Sequence, residues 1–352
     1  MHNHFQRILI VRNDRLGDLV LTLPALEAAR QAWPAAHLAV LASSYAAELL
    51  AGNPHVDEVI VDDPQDYAWQ LAGKLRRHKF DAALVINTNT RNCLAVWLAR
   101  ISTRVCWAGK PVGWLTANHR LHLRRSHPPI HEAEFSLAFP RLLGATAALA
   151  DCQPRLLVQP DARLQMARRI QHDLGAAGPL FGVHPGNKQS AYNWSPARYR
   201  ELIERLSAYG RVMITGSGPE TTLLAAIVRE LPSAALPRVA VYFDLSMPEL
   251  TAALSLQDVL TVSSTGPMHM AAVVGTPVVA LFSKHPAHSA LKWSPLGQGH
   301  TLLAAPLEPG EDPHIPREQG TQYMQRISVD QVVAANLRTI DRAGKERRKT
   351  AG

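Results

Sequence analysis

The sequence predicts an α/β protein built from two doubly wound parallel-sheet domains. Short apolar runs alternate with helix-like stretches along most of the chain. Those runs are apolar at nearly every position instead of every second one, as in strands covered by helices on both faces. The alternation pauses near residues 150–175 and then restarts, which in 352 residues fits two domains of roughly 150 each.

The first series of strands reads "RILIV" (7–11), "HLAVLA" (37–42), "EVIVD" (58–62) and "DAALVI" (81–86), with helical stretches at 18–33, 44–51, 68–78 and 91–100. Segment 101–130 breaks this rhythm: it is basic and carries Trp107, Trp114 and several histidines. A helix at 161–173 precedes the second series, "LFGVHP" (180–185), "RVMITG" (211–216), "VAVYFD" (239–244), "DVLTVSS" (258–264) and "VVALF" (278–282). A helix at 328–341, with Ser328 suited to cap it, is expected to return to the first domain. The expected division is therefore 1–165, 166–327, and a terminal segment 328–352 whose basic end, "DRAGKERRKTAG", is a solvated tail.

Composition narrows the function. A hydrophobic fraction of 47% with 19% charged residues is that of a soluble protein, and no run of eighteen apolar residues offers a membrane span. The N-terminus runs straight into a strand, leaving no room for a signal peptide. Three cysteines without paired spacing point to a reducing cytosol and away from disulfides or structural zinc. The net charge of +8 favours anionic partners, but no nucleic-acid-binding module is recognisable.

Ligands of open α/β sheets bind beyond the carboxyl ends of the strands, so the loops there hold the candidates. In "HPGNKQSAYNWSP" (184–196), Lys188, Ser190 and backbone N–H groups suit phosphate oxygens. "TGSGPETT" (215–222) lacks the third glycine of a dinucleotide fingerprint, Thr221 standing in its place, which argues against a dehydrogenase. Glu220 in that loop suits either ribose hydroxyls or the dipole of the helix it enters. "SSTGPMHM" (263–270) brings Ser264, Thr265, Gly266 and His269 to one helix N-terminus, with Pro267 at a first helical position, a ready anion site. At the other end of the chain, "VRNDRLGDLVLTLPALEAAR" (11–30) puts an acid and two arginines more than a plain strand-to-helix turn needs.

Four segments, "GDLVLTLPALEAAR", "HPG…NWSPARYREL", "TGSGPE" and "STGPMHMAAVVGTPVVALF", together resemble glycosyltransferase family 9, which contains the bacterial lipopolysaccharide heptosyltransferases. Their order and spacing match from about residue 7 to about residue 340; the last motif is specific and the others are individually modest. The resemblance implies a GT-B fold, two Rossmann-like domains with the active cleft between them. It implies inverting transfer of a sugar from a nucleotide diphosphate, usually ADP-heptose, without a required metal or other cofactor. It places Asp18 at the general-base position of the acceptor domain, where the plain alternative is a helix cap. It assigns Thr265 and Gly266 to the donor diphosphate with His269 nearby, Glu220 to the ribose, Leu245 to the adenine edge, and Lys188 and Ser190 to the phosphates.

Two positions depart from the family pattern. Ser264 stands where an aspartate is usual, and Tyr192 where heptosyltransferases often have a lysine; both positions face the donor in that pattern. Around the acceptor, Arg12 and Arg15 suit anionic groups. So do Arg120, Arg124 and Arg125 beside Trp114, for an anionic lipid-linked glycan at the inner face of the membrane. The expected protein is cytoplasmic or peripheral on that membrane. Rival readings are a non-catalytic nucleotide-sugar-binding or scaffold protein of this fold, and a nucleotide-sugar epimerase.

Overall fold

A computed structural model describes residues 4–125, 129–187 and 191–350, the side chains of 343–350 excepted. The chain divides into two compact units between Leu157 and Val158.

In the first unit the strands are β1 (Arg7–Val11), β2 (His37–Ser43), β3 (Glu58–Asp62), β4 (Ala82–Val85), β5 (Thr103–Trp107) and β6 (His119–Leu121). The helices are α1 (Leu16–Val20), α2 (Leu23–Ala32), α3 (Ser44–Ala47), α4 (Ala68–Arg77), α5 (Thr90–Leu98), α6 (Pro111–Thr116) and α7 (Glu132–Leu142). All six strands are parallel, in the order β3-β2-β1-β4-β5-β6.

The second unit holds β7 (Leu180–His184), β8 (Arg211–Gly216), β9 (Val239–Phe243), β10 (Val259–Ser263), β11 (Val278–Phe282) and β12 (Thr301–Ala304). Its helices are α8 (Pro160–Leu174), α9 (Pro196–Ser207), α10 (Thr221–Val228), α11 (Met247–Ser255), α12 (Gly266–Val273), α13 (Ala290–Trp293), α14 (Gly320–Met324) and α15 (Val329–Thr350). Its order, β12-β11-β10-β7-β8-β9, repeats that of the first unit when each is counted from its own first strand. In both, the order reverses beside the first strand, and such a reversal opens a crevice at the carboxyl ends of the two central strands.

The apolar runs form strands because helices remove both of their faces from water. β7, β10 and β11 are buried at every residue, whereas the edge strand β12 is exposed at alternate positions. Each buried Val, Leu or Ile contributes about 1.5–3 kcal/mol, so the central strands hold the sheets together.

Three strands, β5, β6 and β12, and the helix α7 lie in segments the sequence reading left unassigned. The helix expected over 18–33 is two helices, broken at Leu21 and Thr22, with Pro24 in the first turn of the second. The unit boundary falls at 157/158 instead of 165/166. The whole of α8 packs on the second sheet's side: Met166, Ile170 and Leu174 join Leu180, Met213 and Tyr242 in one cluster.

The terminal helix α15, expected to return to the first domain, packs on α9, β10, β11 and β12 of the second. Two buried polar residues fix it there: Asn336 Nδ2 donates to Thr261 Oγ1 of β10 at 2.8 Å and to Val332 O at 2.8 Å. Ser328 caps it as expected, Oγ accepting from Gln331 N at 3.2 Å while Ser328 N donates to Gln331 Oε1 at 2.9 Å. No helix among the described residues is long and apolar enough to cross a membrane.

Candidate active site

The first unit's crevice lies at the ends of β1 and β4. The chain stays extended past Val11, Arg12 N donating to Leu41 O at 3.0 Å, so Arg12 is carried to the rim of the sheet with its side chain turned inward. It is only 2% exposed. A buried guanidinium needs partners, and Arg12 has three carboxylates. Its Nη2 donates to Asp18 Oδ1 at 2.6 Å and to Glu132 Oε1 at 3.0 Å. Its Nε lies 3.1 Å from Asp14 Oδ1, an ion pair without hydrogen-bond alignment.

Asp18 sits in the first turn of α1, where Arg15 is the cap residue and no side chain caps. A capping role therefore does not account for its carboxylate. Burial pushes its pKa up to about 6. Arg12 and Arg15 pull against that, while Asp14 and Glu132 push the same way as burial. Asp14 is raised by burial as well.

Glu132, 1% exposed, opens α7 and was not singled out in the sequence. It bridges two arginines, its Oε2 accepting from Arg125 Nη2 at 2.5 Å. Arg125 in turn lies over the rings of Phe135 (3.9 Å) and Trp107 (5.3 Å).

Beside this cluster is a second network that the sequence did not disclose. Asn13 Nδ2 donates to Asp62 Oδ2 at 2.6 Å, and Asn13 Oδ1 accepts from Asn87 and Asn92 at 2.9 and 2.8 Å. Arg91 grips Asp62 with two bonds of 3.0 and 2.9 Å. The ends of β1, β3 and β4 are thus tied to the start of α5.

The expected acceptor arginines separate into two kinds. Arg12 does not face outward for an anion: its guanidinium is buried among carboxylates of its own chain, which corrects its expected role as an acceptor contact. Arg15, Arg120 and Arg124 are exposed. Arg120 lies over the half-exposed Trp114 ring at 4.5 Å and donates to Trp114 O at 2.8 Å.

In the second unit the crevice lies at the ends of β7 and β10. Thr265 is the cap residue of α12, yet its side chain makes no cap bond. It is 7% exposed and its Oγ1 has no hydrogen-bond partner among the described residues. Ser283, which follows the neighbouring strand β11, is in the same condition at 3% exposed. Two dry hydroxyls thus stand beyond adjacent strand ends; Ser283 was missed because its sequence context carries no motif. Gly266 opens α12 with Pro267 beside it, Ser264 is half-buried, and His269 is buried on the same first turn.

Glu220 is 6% exposed and closes a capping box, its Oε2 accepting from Ser217 N and Oγ, each at 2.9 Å. It lies against the loop after β7: a Cβ on Gly186 would come within 1.9 Å of Glu220 Oε1, so only glycine permits the approach. Leu245 is half-buried against the cluster under α8 and α11. Lys188 and Ser190 lie outside the described residues.

Tyr192, expected to face the donor in place of a lysine, is instead 8% exposed within the second unit's core. Its hydroxyl donates to Ile315 O, and its ring lies where a Cβ on Gly320 would meet it at 2.4 Å. The tyrosine fastens segment 315–320, a structural task a lysine would not perform.

The profile of glycosyltransferase family 9 (heptosyltransferase) matches residues 68–318. A Haemophilus influenzae protein designated a glycosyltransferase, without a stated substrate, is 28% identical, covering 94% of this chain and 95% of its own. Lipopolysaccharide heptosyltransferase 2 of Escherichia coli K12 is 23% identical over 78% of this chain and 82% of its own. The solved structure of E. coli ADP-heptose lipopolysaccharide heptosyltransferase II superposes with a TM-score of 0.80 at 20% identity, covering 96% of this chain and all of that one. A family 9 structure from Veillonella parvula gives 0.80 at 19%, covering 97% and 98%. The two six-stranded parallel sheets are those of the GT-B class, and the chain belongs to glycosyltransferase family 9, the heptosyltransferase family.

Proposed function

We propose that this glycosyltransferase moves a heptose from ADP-heptose to a lipopolysaccharide-core or related anionic, lipid-linked glycan, with inversion and without a metal, using Asp18 as general base. The observation that carries the reading is a half-buried carboxylate, paired with Arg12 at the crevice of the first sheet, whose pKa is pushed up to about 6. That value suits a base working near neutrality, because it is ionised there and still holds a proton well.

In the proposed step, Asp18 Oδ1 faces Arg12 and leaves Oδ2 for the acceptor hydroxyl. The acceptor oxygen forms its bond to the anomeric carbon, its proton passes to Asp18, and the bond from that carbon to the diphosphate breaks. The departing diphosphate gains charge as it leaves. Thr265 Oγ1, a buried donor without a partner among the described residues, and the first N–H groups of α12 would stabilise it more in the transition state than in the ground state. Gly266 belongs to the same contact, with Ser264, His269, Glu220, Leu245, Lys188 and Ser190 completing the donor site. Arg15, Arg120 and Arg124 would meet the acceptor's anions, and the exposed Trp114 and Leu115 beside them would rest on an anionic membrane face.

Two measurements test this. A ligand that binds the native state raises its melting temperature, so ADP-heptose should stabilise the protein more than UDP-, GDP- or dTDP-sugars; a larger shift with another nucleotide would replace the donor. Transfer to heptose-deficient lipopolysaccharide core should survive exhaustive EDTA treatment. Activity lost to the chelator and restored by magnesium or manganese would overturn metal independence.

A further inference from the structure

Three carboxylates, Asp14, Asp18 and Glu132, share the guanidinium of Arg12, while Arg125 pairs with Glu132 and Arg15 acts on Asp18. Glu132 is the hub of this set, although it comes from an element 120 residues away from Arg12 in the sequence. One of its oxygens takes Arg12 Nη2, the same nitrogen that holds Asp18, and the other takes Arg125. Its backbone is fixed at the first residue of α7, whose cap is His131 and whose body packs on α2. Ser136 of α7 and Thr22 hold that packing in register, their hydroxyls 3.3 Å apart.

Asp18 is faced by Arg12 from the end of β1, by Asp14 and Arg15 from the following loop, and by Glu132 from α7; Arg125, from the segment before α7, pairs with Glu132 and acts on Asp14. Tyr45 of α3 fixes the loop by donating to Asp14 O at 3.0 Å.

We propose that Glu132 is a positioning residue for the base: it clamps Arg12 beside Asp18 and draws part of that cation's charge away from Asp18. Arg125 opposes it by neutralising Glu132 from the far side. Glu132 touches no reacting atom in this role; it acts through Arg12. This rests on the assignment of Asp18 as the base.

The sign of the effect follows from Coulomb's law. Removing the charge of Glu132 leaves Arg12 more available to Asp18 and takes a repelling anion away, so Asp18 gives up its proton at lower pH. Removing Arg125 leaves Glu132 more negative, so Asp18 holds its proton to higher pH. A residue that merely packs would move neither titration, and would not move two in opposite directions.

The test needs no acceptor. The purified full-length protein is labelled at aspartate carboxyl carbons, the Asp18 resonance is assigned by its disappearance in Asp18→Asn, and it is followed by NMR against pH. Glu132→Gln should shift the Asp18 titration to lower pH, Arg125→Gln should shift it to higher pH, and Glu132→Asp should restore it towards wild type. If Glu132→Gln fails to fold, Arg125 is 28% exposed at its side chain and its variant still decides. An Asp18 titration unmoved by Arg125→Gln, or moved the same way by both changes, overturns the proposal. Expected shifts together with full transfer activity in Asp18→Asn would instead overturn the assignment of the base, leaving the clamp intact.

Discussion

The two units share one strand order and differ in what they place at its point of reversal. At the first crevice the sheet ends in ionisable side chains packed against one another, Arg12 and Glu132 buried and Asp14 and Asp18 partly so. At the second it ends in a helix N-terminus and in hydroxyls, Thr265 and Ser283, that have no partner of their own among the described residues. One crevice is lined by charges that neutralise one another; the other is lined by neutral hydrogen-bonding groups. The difference teaches that a shared fold sets where chemistry happens and the loop residues set its sign. A proton acceptor needs a charge whose strength is tuned by neighbours, while a phosphate site needs fixed neutral donors.

The largest expected effect falls on the stability of the first unit. Arg12→Ala removes the shared cation and leaves Asp18 and Glu132 buried without it, a change that costs about 3–5 kcal/mol. Thermal unfolding should move down by on the order of 10 °C. The deficit should shrink as pH falls, because protonation relieves the stranded carboxylates. A variant as stable as wild type at neutral pH would mean that the crevice is wetter than its burial implies.

Next comes Asp18→Asn, which keeps size and polarity and removes basicity. Turnover should fall on the order of a hundredfold or more, with donor affinity within about twofold of wild type. In the wild-type protein, kcat/KM should rise with pH through about 6, as Asp18 loses its proton in the free enzyme. An unchanged kcat in the variant would return Asp18 to a purely structural role.

The contrast between the units also explains what the sequence disclosed. Strands such as β7, β10 and β11 were legible because burial on both faces demands an unbroken apolar run. Edge strands were not: β12 is half exposed and β6 has only three residues, so neither needs such a run. Helix N-termini announce themselves through local residues, which is why Thr265 and Gly266 could be singled out. The ion cluster depends on contacts between distant segments. Asp18 was found through a motif, but Glu132 looks like any helix-opening glutamate until α7 brings it to Arg12. Arg12 itself was read as an outward anion binder because sequence shows a charge and not the direction in which it points. Tyr192 misled for the same reason, its hydroxyl being used by Ile315 in the core.

A smaller effect is expected at the second crevice. Thr265→Val keeps the shape and removes the hydroxyl, which has no partner to lose among the described residues. Folding stability should therefore stay the same or rise slightly, since an unsatisfied buried polar group is destabilising. Affinity for ADP should fall by about tenfold, the worth of one hydrogen bond to a charged phosphate at roughly 1.5 kcal/mol. A stability loss with unchanged ADP affinity, read by calorimetry, would show that the hydroxyl serves the fold and not a ligand.

The smallest and most discriminating change is Ser264→Asp. Ser264 is half-buried directly before Thr265, at the amino end of α12. The helix dipole favours a carboxylate there, so the substitution should be tolerated by the fold. Its effect on the donor depends on which atoms lie opposite. A serine offers one donor and two lone pairs but no charge, whereas an aspartate accepts from two sugar hydroxyls with charge-assisted bonds of about 1.5–3 kcal/mol, against about 1 for neutral ones. If ADP-heptose lies with its hydroxyls towards this position, Ser264→Asp should improve KM or kcat by up to about tenfold. If the pocket has been fitted to another sugar, the added charge beside the diphosphate should weaken binding by a similar factor. The structure removes one reason for favouring the second outcome: Tyr192 is accounted for by its bond to Ile315 and its contact with Gly320, so it is not evidence of a retuned pocket. Ser264 then stands as a single change, and the expected result is a gain with ADP-heptose. Steady-state kinetics of wild type and Ser264→Asp with that donor decide it, a clear loss pointing to a different native sugar.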